Sequence, residues 1–151
     1  MPTQVRMKHI VVRCPDGRFH GAFQGLIEEF NLEKEGGYDL LSWPGASLPL
    51  CGPAREVFLG QIETLRRLHG NSEVWVLDHD DCGAFGQEGE ADPAEEHQRH
   101  ADCLRQAAAL ISTVCPEIIV RKFLVFEDGC FQEIDGVADS KEKRQLQLQL
   151  R

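Results

Sequence analysis

The chain has 151 residues, of which 42% are hydrophobic and 27% charged, and this balance indicates one globular domain with a hydrophobic core. Its net charge of -9 argues against nucleic acid as a partner, because phosphate binding needs a basic surface. No apolar run approaches the ~20 residues of a membrane span, and residues 1–8 lack the apolar stretch of a secretory signal. We therefore expect no membrane association and a cytoplasmic location.

The first third of the chain alternates strand and helix signals. Residues 8–13 contain a β-branched run that predicts a short buried strand. Apolar side chains at helical spacing over residues 19–30 predict a helix, which we expect the Gly pair at 36–37 to close. Residues 38–43 then predict a second strand.

The middle of the chain repeats this order. Gly52 and Pro53 resemble a helix start with Pro at its first helical position, and Gly70 ends the apolar pattern that follows. Residues 73–77 are almost all apolar, which is typical of a parallel strand covered on both faces. A polar loop spans residues 78–92.

The remainder completes an alternating α/β pattern. Pro93 opens a long helix, residues 118–126 predict a fourth strand, and the turn at Asp128 and Gly129 predicts a hairpin into residues 130–134. The order of elements predicts an α/β fold with a mostly parallel sheet of four to five strands and helices on both faces.

Composition also predicts where the domain ends. We expect residues 1–135 to form the α/β domain and residues 136–151 to form a C-terminal tail. Within that tail, residues 145–150 alternate Gln and Leu, which indicates either a strand with one apolar face or a frayed end.

Six cysteines in a chain expected to be cytoplasmic need a role other than disulfides, since thiols stay reduced there. Cys14 follows the first predicted strand, and His79 and Cys82 follow the third. First and third strands are often neighbours in doubly wound sheets, so these side chains can meet at one edge. Two thiolates, one imidazole and an open fourth position are typical of catalytic zinc. Spacing alone leaves open that they are ordinary buried side chains.

Asp16 and Arg18 lie two and four residues beyond Cys14. The Asp16 carboxylate could take the fourth position on zinc and close the site. It could instead pair with Arg18 and accept a hydrogen bond from the zinc-bound water, whose pKa zinc lowers to about 7. A surface ion pair that contributes little is the third possibility.

Two motifs in this order resemble the β-class carbonic anhydrases. Residues 14–18, Cys-Pro-Asp-Gly-Arg, are similar to the family's Cys-x-Asp-Ser-Arg motif, and residues 79–83, His-Asp-Asp-Cys-Gly, to its His-x-x-Cys-Gly motif. The similarity runs over residues 8–134. It implies the family's parallel α/β fold, Zn2+ as cofactor, and carbonic anhydrase activity (carbonate dehydratase, a zinc lyase). In that family a zinc-bound hydroxide attacks carbon dioxide and bicarbonate leaves.

The resemblance also assigns roles to individual residues. It makes Cys14, His79 and Cys82 the metal ligands and Asp16 and Arg18 the catalytic pair. The substrate pocket is expected to include three residues near the metal: Gly45, which matches a glycine of the family's Asn-Ala-Gly-Asn loop, together with Gly83 and Phe85. A homodimer or higher homo-oligomer is the implied assembly, with carbon dioxide and bicarbonate as small-molecule partners.

Several departures from the family pattern affect these expectations. Gly17 replaces the usual Ser, and Trp43 and Pro44 replace polar residues. Only 13 residues precede Cys14, so the N-terminal arm that wraps the partner subunit is expected to be absent. Two alternatives therefore stay open: a hydrolase of carbonyl sulfide or carbon disulfide on the same scaffold, and a non-catalytic zinc-stabilised binding domain.

Other reactive side chains receive plainer interpretations. His97 and His100 are interpreted as part of a solvated helix face, and His20 as a helix-start residue, although it could carry protons from the site. The remaining cysteines show no ligand spacing and are interpreted as packing residues: Cys51, Cys103, Cys115 and Cys130.

Overall fold

Five strands and three α-helices alternate along the residues that the computed structural model describes, 3–86 and 92–140. The strands are β1 (His9–Arg13), β2 (Tyr38–Ser42), β3 (Glu73–His79), β4 (Ile119–Val125) and β5 (Phe131–Glu133). The α-helices are α1 (His20–Glu29), α2 (Arg55–His69) and α3 (Pro93–Val114), and short 3-10 helices lie at Gly17–Phe19, Leu48–Cys51 and Gly83–Phe85. No helix in these two ranges is long and apolar enough to cross a membrane.

The strands form one sheet in the order β2-β1-β3-β4-β5. β1 pairs in parallel with both β2 and β3, β3 pairs in parallel with β4, and β5 joins β4 as an antiparallel hairpin strand. The predicted α/β fold with a mostly parallel sheet is thus confirmed, as is the expected contact between the first and third strands. That contact brings the carboxyl ends of β1 and β3 together.

Both faces of the sheet are covered by helices, which explains the continuous apolar runs in its central strands. Successive residues of a strand point to opposite faces, so Val11 packs on one side while Ile10 and Val12 pack on the other. On the Val11 side, α1 contributes Phe23 and Leu26. The opposite face is covered by α2 and α3 through the buried side chains of Leu59, Ile62, Leu104 and Ile111.

Two predicted helix boundaries are wrong. The first helix ends at Glu29 rather than at the Gly pair 36–37, because Asn31 adopts a left-handed conformation (φ 54°) that stops it. Helix α2 begins at Arg55, two residues after Pro53, because residues 48–51 already form a separate 3-10 turn before an extended Gly52. The predicted end at Gly70 is confirmed, with a left-handed φ of 67° at that glycine.

The chain returns toward the sheet after residue 135. The Ala138 carbonyl accepts a hydrogen bond from the Glu133 amide (2.8 Å), and the Ser140 amide donates to the Phe131 carbonyl (3.1 Å). Residues 136–140 therefore lie along β5. The domain boundary at residue 135 stays a prediction, and the Gln-Leu alternation at residues 145–150 falls outside the described residues.

Candidate metal centre

Three potential metal ligands converge at the carboxyl edge of the two central strands. Cys14 directly follows β1, His79 is the last residue of β3, and Cys82 lies three residues further on. The parallel register pairs Arg13 with Leu77, so the ends of the two strands are adjacent. One ligand atom from each of the three side chains lies within 4.8 Å of the others, and all three residues are buried. The structure thus brings together the three residues that the sequence singled out.

The His79 ring is oriented for ligation through one nitrogen. Its Nδ1 lies 2.6 Å from the Asp80 carbonyl oxygen, so Nδ1 carries the proton and donates it. Its Nε2 is buried and has no hydrogen-bond partner among the described residues. The Phe19 ring stacks on the imidazole at 4.0 Å between centroids. A buried nitrogen without a partner, in a ring fixed from its other side, is the arrangement of a metal-ligating histidine.

The two sulfurs share this electrostatic environment. The hydrogen bond between Cys82 and Cys14 lowers the pKa of Cys14 and raises that of Cys82, and backbone amides of Gly45 and Asp16 also stabilise a Cys14 thiolate. Burial opposes charge on His79, yet the neighbouring Cys14 and Asp16 raise its pKa. The surroundings of His79 therefore favour positive charge on its ring, and two sulfurs with one nitrogen are a donor set that suits zinc.

Asp16 and Arg18 form a paired dyad at the edge of this cluster. Arg18 donates from Nη2 to Asp16 Oδ2 (2.7 Å) and from Nε to Asp16 Oδ1 (3.2 Å). The hydrogen bonds from the Arg18 side chain hold the pKa of the Asp16 carboxyl at about 2. Asp16 Oδ2 also lies 3.8 Å from His79 Nε2. The carboxylate is thus ionised and close to the ligands while it is paired with arginine.

Arg18 has a second anchor that the sequence interpretation did not include. Its Nη1 donates to Asp81 Oδ2 (2.8 Å) and its Nη2 to the Asp81 carbonyl oxygen (2.9 Å). Asp81 has a left-handed backbone (φ 52°), and its amide donates to Glu96 Oε1 on α3 (3.0 Å). Arg18 therefore connects the loop after β1 to the loop that carries His79 and Cys82.

The residues expected to line a pocket lie around the same cluster. Phe85 is buried against Cys14 and Cys82. Gly45 has a φ of 84°, and a Cβ there would lie 2.9 Å from the Leu48 Cβ, so no other residue fits without displacement. Gly83 is the first residue of the 3-10 helix after Cys82. Their assignment to a substrate pocket stays a prediction.

The structure contains a buried polar network behind the site that was not predicted from the sequence. Asp78 on β3 accepts hydrogen bonds from the Ser47 amide (3.0 Å), the Ser47 hydroxyl (2.6 Å) and His100 Nδ1 (2.8 Å). The interpretation of His100 as solvated is wrong, because its side chain is fully buried and tilts against Phe85 at 4.2 Å between centroids. The sequence held two indications of this network: Asp78 directly precedes His79, and His100 lies on a helix that faces the strand.

We expect Asp78→Ala to destabilise the protein by about 3–5 kcal/mol, because it removes the buried acceptor shared by the two Ser47 donors and His100 Nδ1. Urea denaturation at matched zinc content measures this loss. The control is Asp102→Ala on the exposed side of α3, which is expected to change stability by no more than about 0.5 kcal/mol. Equal, small losses in both variants would show that the buried network contributes little.

The remaining candidates have other surroundings. His20 is exposed and contacts the Arg13 guanidinium through Nδ1. His97 is half-buried, and its Nε2 lies 3.1 Å from Gln132 Oε1. Cys115 is buried, as expected of a packing residue. Cys51 and Cys103, which showed no partner spacing in the sequence, lie in contact through their sulfurs.

The fold defines the broad class of this protein: an α/β protein with a β-carbonic-anhydrase-like architecture. Its structure is similar to that of the β-carbonic anhydrase CafA of the fungal pathogen Aspergillus fumigatus, with a TM-score of 0.50. The match covers 96% of this chain and 83% of CafA at 13% sequence identity, so it establishes similarity of fold. No protein-family model matches the sequence.

Relatives of the chain by sequence include two uncharacterized rickettsial proteins. The chain belongs to the same family as the uncharacterized protein RC0076 of Rickettsia conorii, with 31% identity over 134 residues, 83% of this chain and 70% of that protein. An uncharacterized protein of Rickettsia bellii is 29% identical over 133 residues, which cover 83% of this chain and 80% of the relative.

Proposed function

We propose that this protein is a zinc-dependent carbonic anhydrase, which converts carbon dioxide and water to bicarbonate and a proton. The observation that carries the proposal is the buried cluster of Cys14, His79 and Cys82 beside the Asp16–Arg18 pair. The fold shared with a fungal β-carbonic anhydrase supports it. The assignment of Cys14, His79 and Cys82 as the ligands fits the unpartnered His79 Nε2 and the two sulfurs.

Zinc held at this position would supply an acidified water molecule as the nucleophile near neutral pH. The protein's own part is to position the groups around that water. Asp16, whose Oδ2 lies 3.8 Å from His79 Nε2, would accept a hydrogen bond from that water. Arg18 pairs with the carboxylate and keeps it ionised, and Asp81 fixes Arg18 in turn.

The substrate needs few polar contacts, since carbon dioxide is small, linear and apolar. Cys14 and Cys82 cluster with Phe85, and the partly buried Leu48 side chain packs against this cluster. These apolar walls limit the water that reaches the sulfurs. They suit a small neutral molecule better than a charged or extended one.

The proposal predicts measurable carbon dioxide hydration that rises from roughly pH 6.5 to 9, because the nucleophile forms as the site's water loses a proton. Stopped-flow initial rates on zinc-loaded protein test it, with Cys82→Ser as the blank. Parallel assays with carbonyl sulfide and carbon disulfide separate the possible substrates. A rate on carbon dioxide no greater than that of the blank would exclude the proposed activity.

A further inference from the structure

Cys51 and Cys103 form a second pair of sulfurs near the candidate metal centre. Cys51 ends the 3-10 helix Leu48–Cys51, and Cys103 lies on α3. Their Sγ atoms are 3.0 Å apart, and Cys51 Sγ lies 3.3 Å from the Cys103 carbonyl oxygen. The two residues come from distant parts of the sequence, so the fold itself brings the thiols together.

This contact differs from ordinary packing in its chemistry. A disulfide bond is about 2.05 Å long, so the sulfurs need to approach by only about 1 Å to reach bonding distance. Cys51 is half-buried and therefore reachable by a small solute, whereas Cys103 is buried behind it. In such a pair the accessible sulfur can react with an oxidant first, and the protected sulfur can then form the disulfide bond with it.

We infer that Cys51 and Cys103 are a redox modification site, which forms a reversible disulfide with a peroxide as oxidant. In the net reaction both S–H bonds break and one S–S bond forms. The two protons and two electrons pass to hydrogen peroxide, whose O–O bond breaks to give two water molecules. A thiol reductant reverses the modification. This inference concerns a pair of residues outside the proposed metal ligands and does not depend on the proposed activity.

The bond would join two parts of the wall around the candidate metal centre. Ser47, which directly precedes the 3-10 helix of Cys51, is held by Asp78 on β3. Leu48 packs at Gly45, whose amide bonds to the Cys14 sulfur. The disulfide thus ties this segment covalently to α3, which already carries His100 of the same polar network.

Peptide mapping of the full chain tests this pairing directly, because cleavage after Lys and Arg places each of the six cysteines on a separate peptide. The zinc-loaded protein is treated with hydrogen peroxide, its remaining thiols are alkylated, and the digest is analysed without reductant. We expect peptides 35–55 and 100–105 to appear joined, two mass units below their summed mass, and to separate after reduction.

Matched variants make the result specific. Cys51→Ser should abolish the joined peptides, whereas Cys130→Ser, which changes another half-buried cysteine, should retain them. Zinc content measured on the same samples should stay at the untreated level, since Cys14 and Cys82 are not part of the pair. A dominant link between Cys14 and Cys82, oxidation of Cys51 without a link to Cys103, or no loss of free thiols would each overturn the inference.

Discussion

Cys82→Ser is expected to lower the zinc affinity of the chain by more than ~100-fold. Loss of a residue that only hydrogen-bonds to a metal ligand typically lowers metal affinity by roughly 10–100-fold, and Cys82 is a proposed ligand itself. The serine hydroxyl does not replace the buried Cys82 sulfur, which lies beside Cys14 and His79. Cys14→Ser and His79→Ala should behave in the same way. Metal analysis after dialysis against a weak chelator measures the effect, with about one zinc ion per chain expected for the wild type.

The control for these three variants is Cys130→Ser, since Cys130 is a half-buried cysteine outside the cluster. It should bind zinc as the wild type does. Thermal unfolding with and without zinc supplies a second readout, because a metal that binds only the folded state raises Tm. Full zinc occupancy in all three cluster variants would contradict the assignment of the ligands.

Asp16→Asn is expected to keep zinc and to lose carbon dioxide hydration by ~100-fold or more, the usual contribution of a positioned proton acceptor. The Asn side chain is uncharged. Its NH2 group would also replace one of the two oxygens, Oδ1 or Oδ2, that accept hydrogen bonds from Arg18. Arg18→Ala should also retain zinc and lose turnover, because it frees Asp16 to approach the ligands.

Asp135→Asn provides a matched control for the charge change. Asp135 also forms a two-point ion pair, with Arg105 at 2.9 and 3.0 Å, but it lies outside the site. Its left-handed backbone (φ 57°) suits Asn as well as Asp. Stopped-flow rates at equal zinc content should be unchanged in this variant. A wild-type rate in Asp16→Asn would mean that the dyad has only a structural role.

The fold was largely predictable because its signals are local. Short apolar runs marked the strands, and Gly and Pro marked most of their ends. The long helix opens at Pro93 as expected, with the Asp92 side chain capping the Ala94 and Glu95 amides. The errors fell at residues 30–36 and 48–54, where a left-handed Asn31 and a 3-10 turn override the apolar periodicity.

Only the site residues that belong to the two sequence motifs could be predicted. Cys14, His79 and Cys82 stand in recognisable spacing, and the sheet order places them together. By contrast, the contacts of Asp78 with His100 and of Cys51 with Cys103 join α3 to distant segments. Helical spacing gives the angular position of a residue on its helix, but not how deeply that face is buried or which side chain it meets. These pairs therefore required the three-dimensional arrangement.

Cys14 directly follows one of two neighbouring parallel strands and His79 ends the other, and this placement would link metal binding to the order of folding. His79 and Cys82 are close in sequence, whereas Cys14 joins them only after the intervening elements have crossed over and β1 has paired with β3. A slip of one residue between these strands would move Cys14 by about 3.3 Å and turn its side chain to the other face. The ligand atoms lie within 4.8 Å of one another, so such a misaligned chain would lose the third ligand. A bound ion would thus stabilise the native strand alignment over its misaligned competitors, and it would do so late in folding, after the slow long-range pairing is complete.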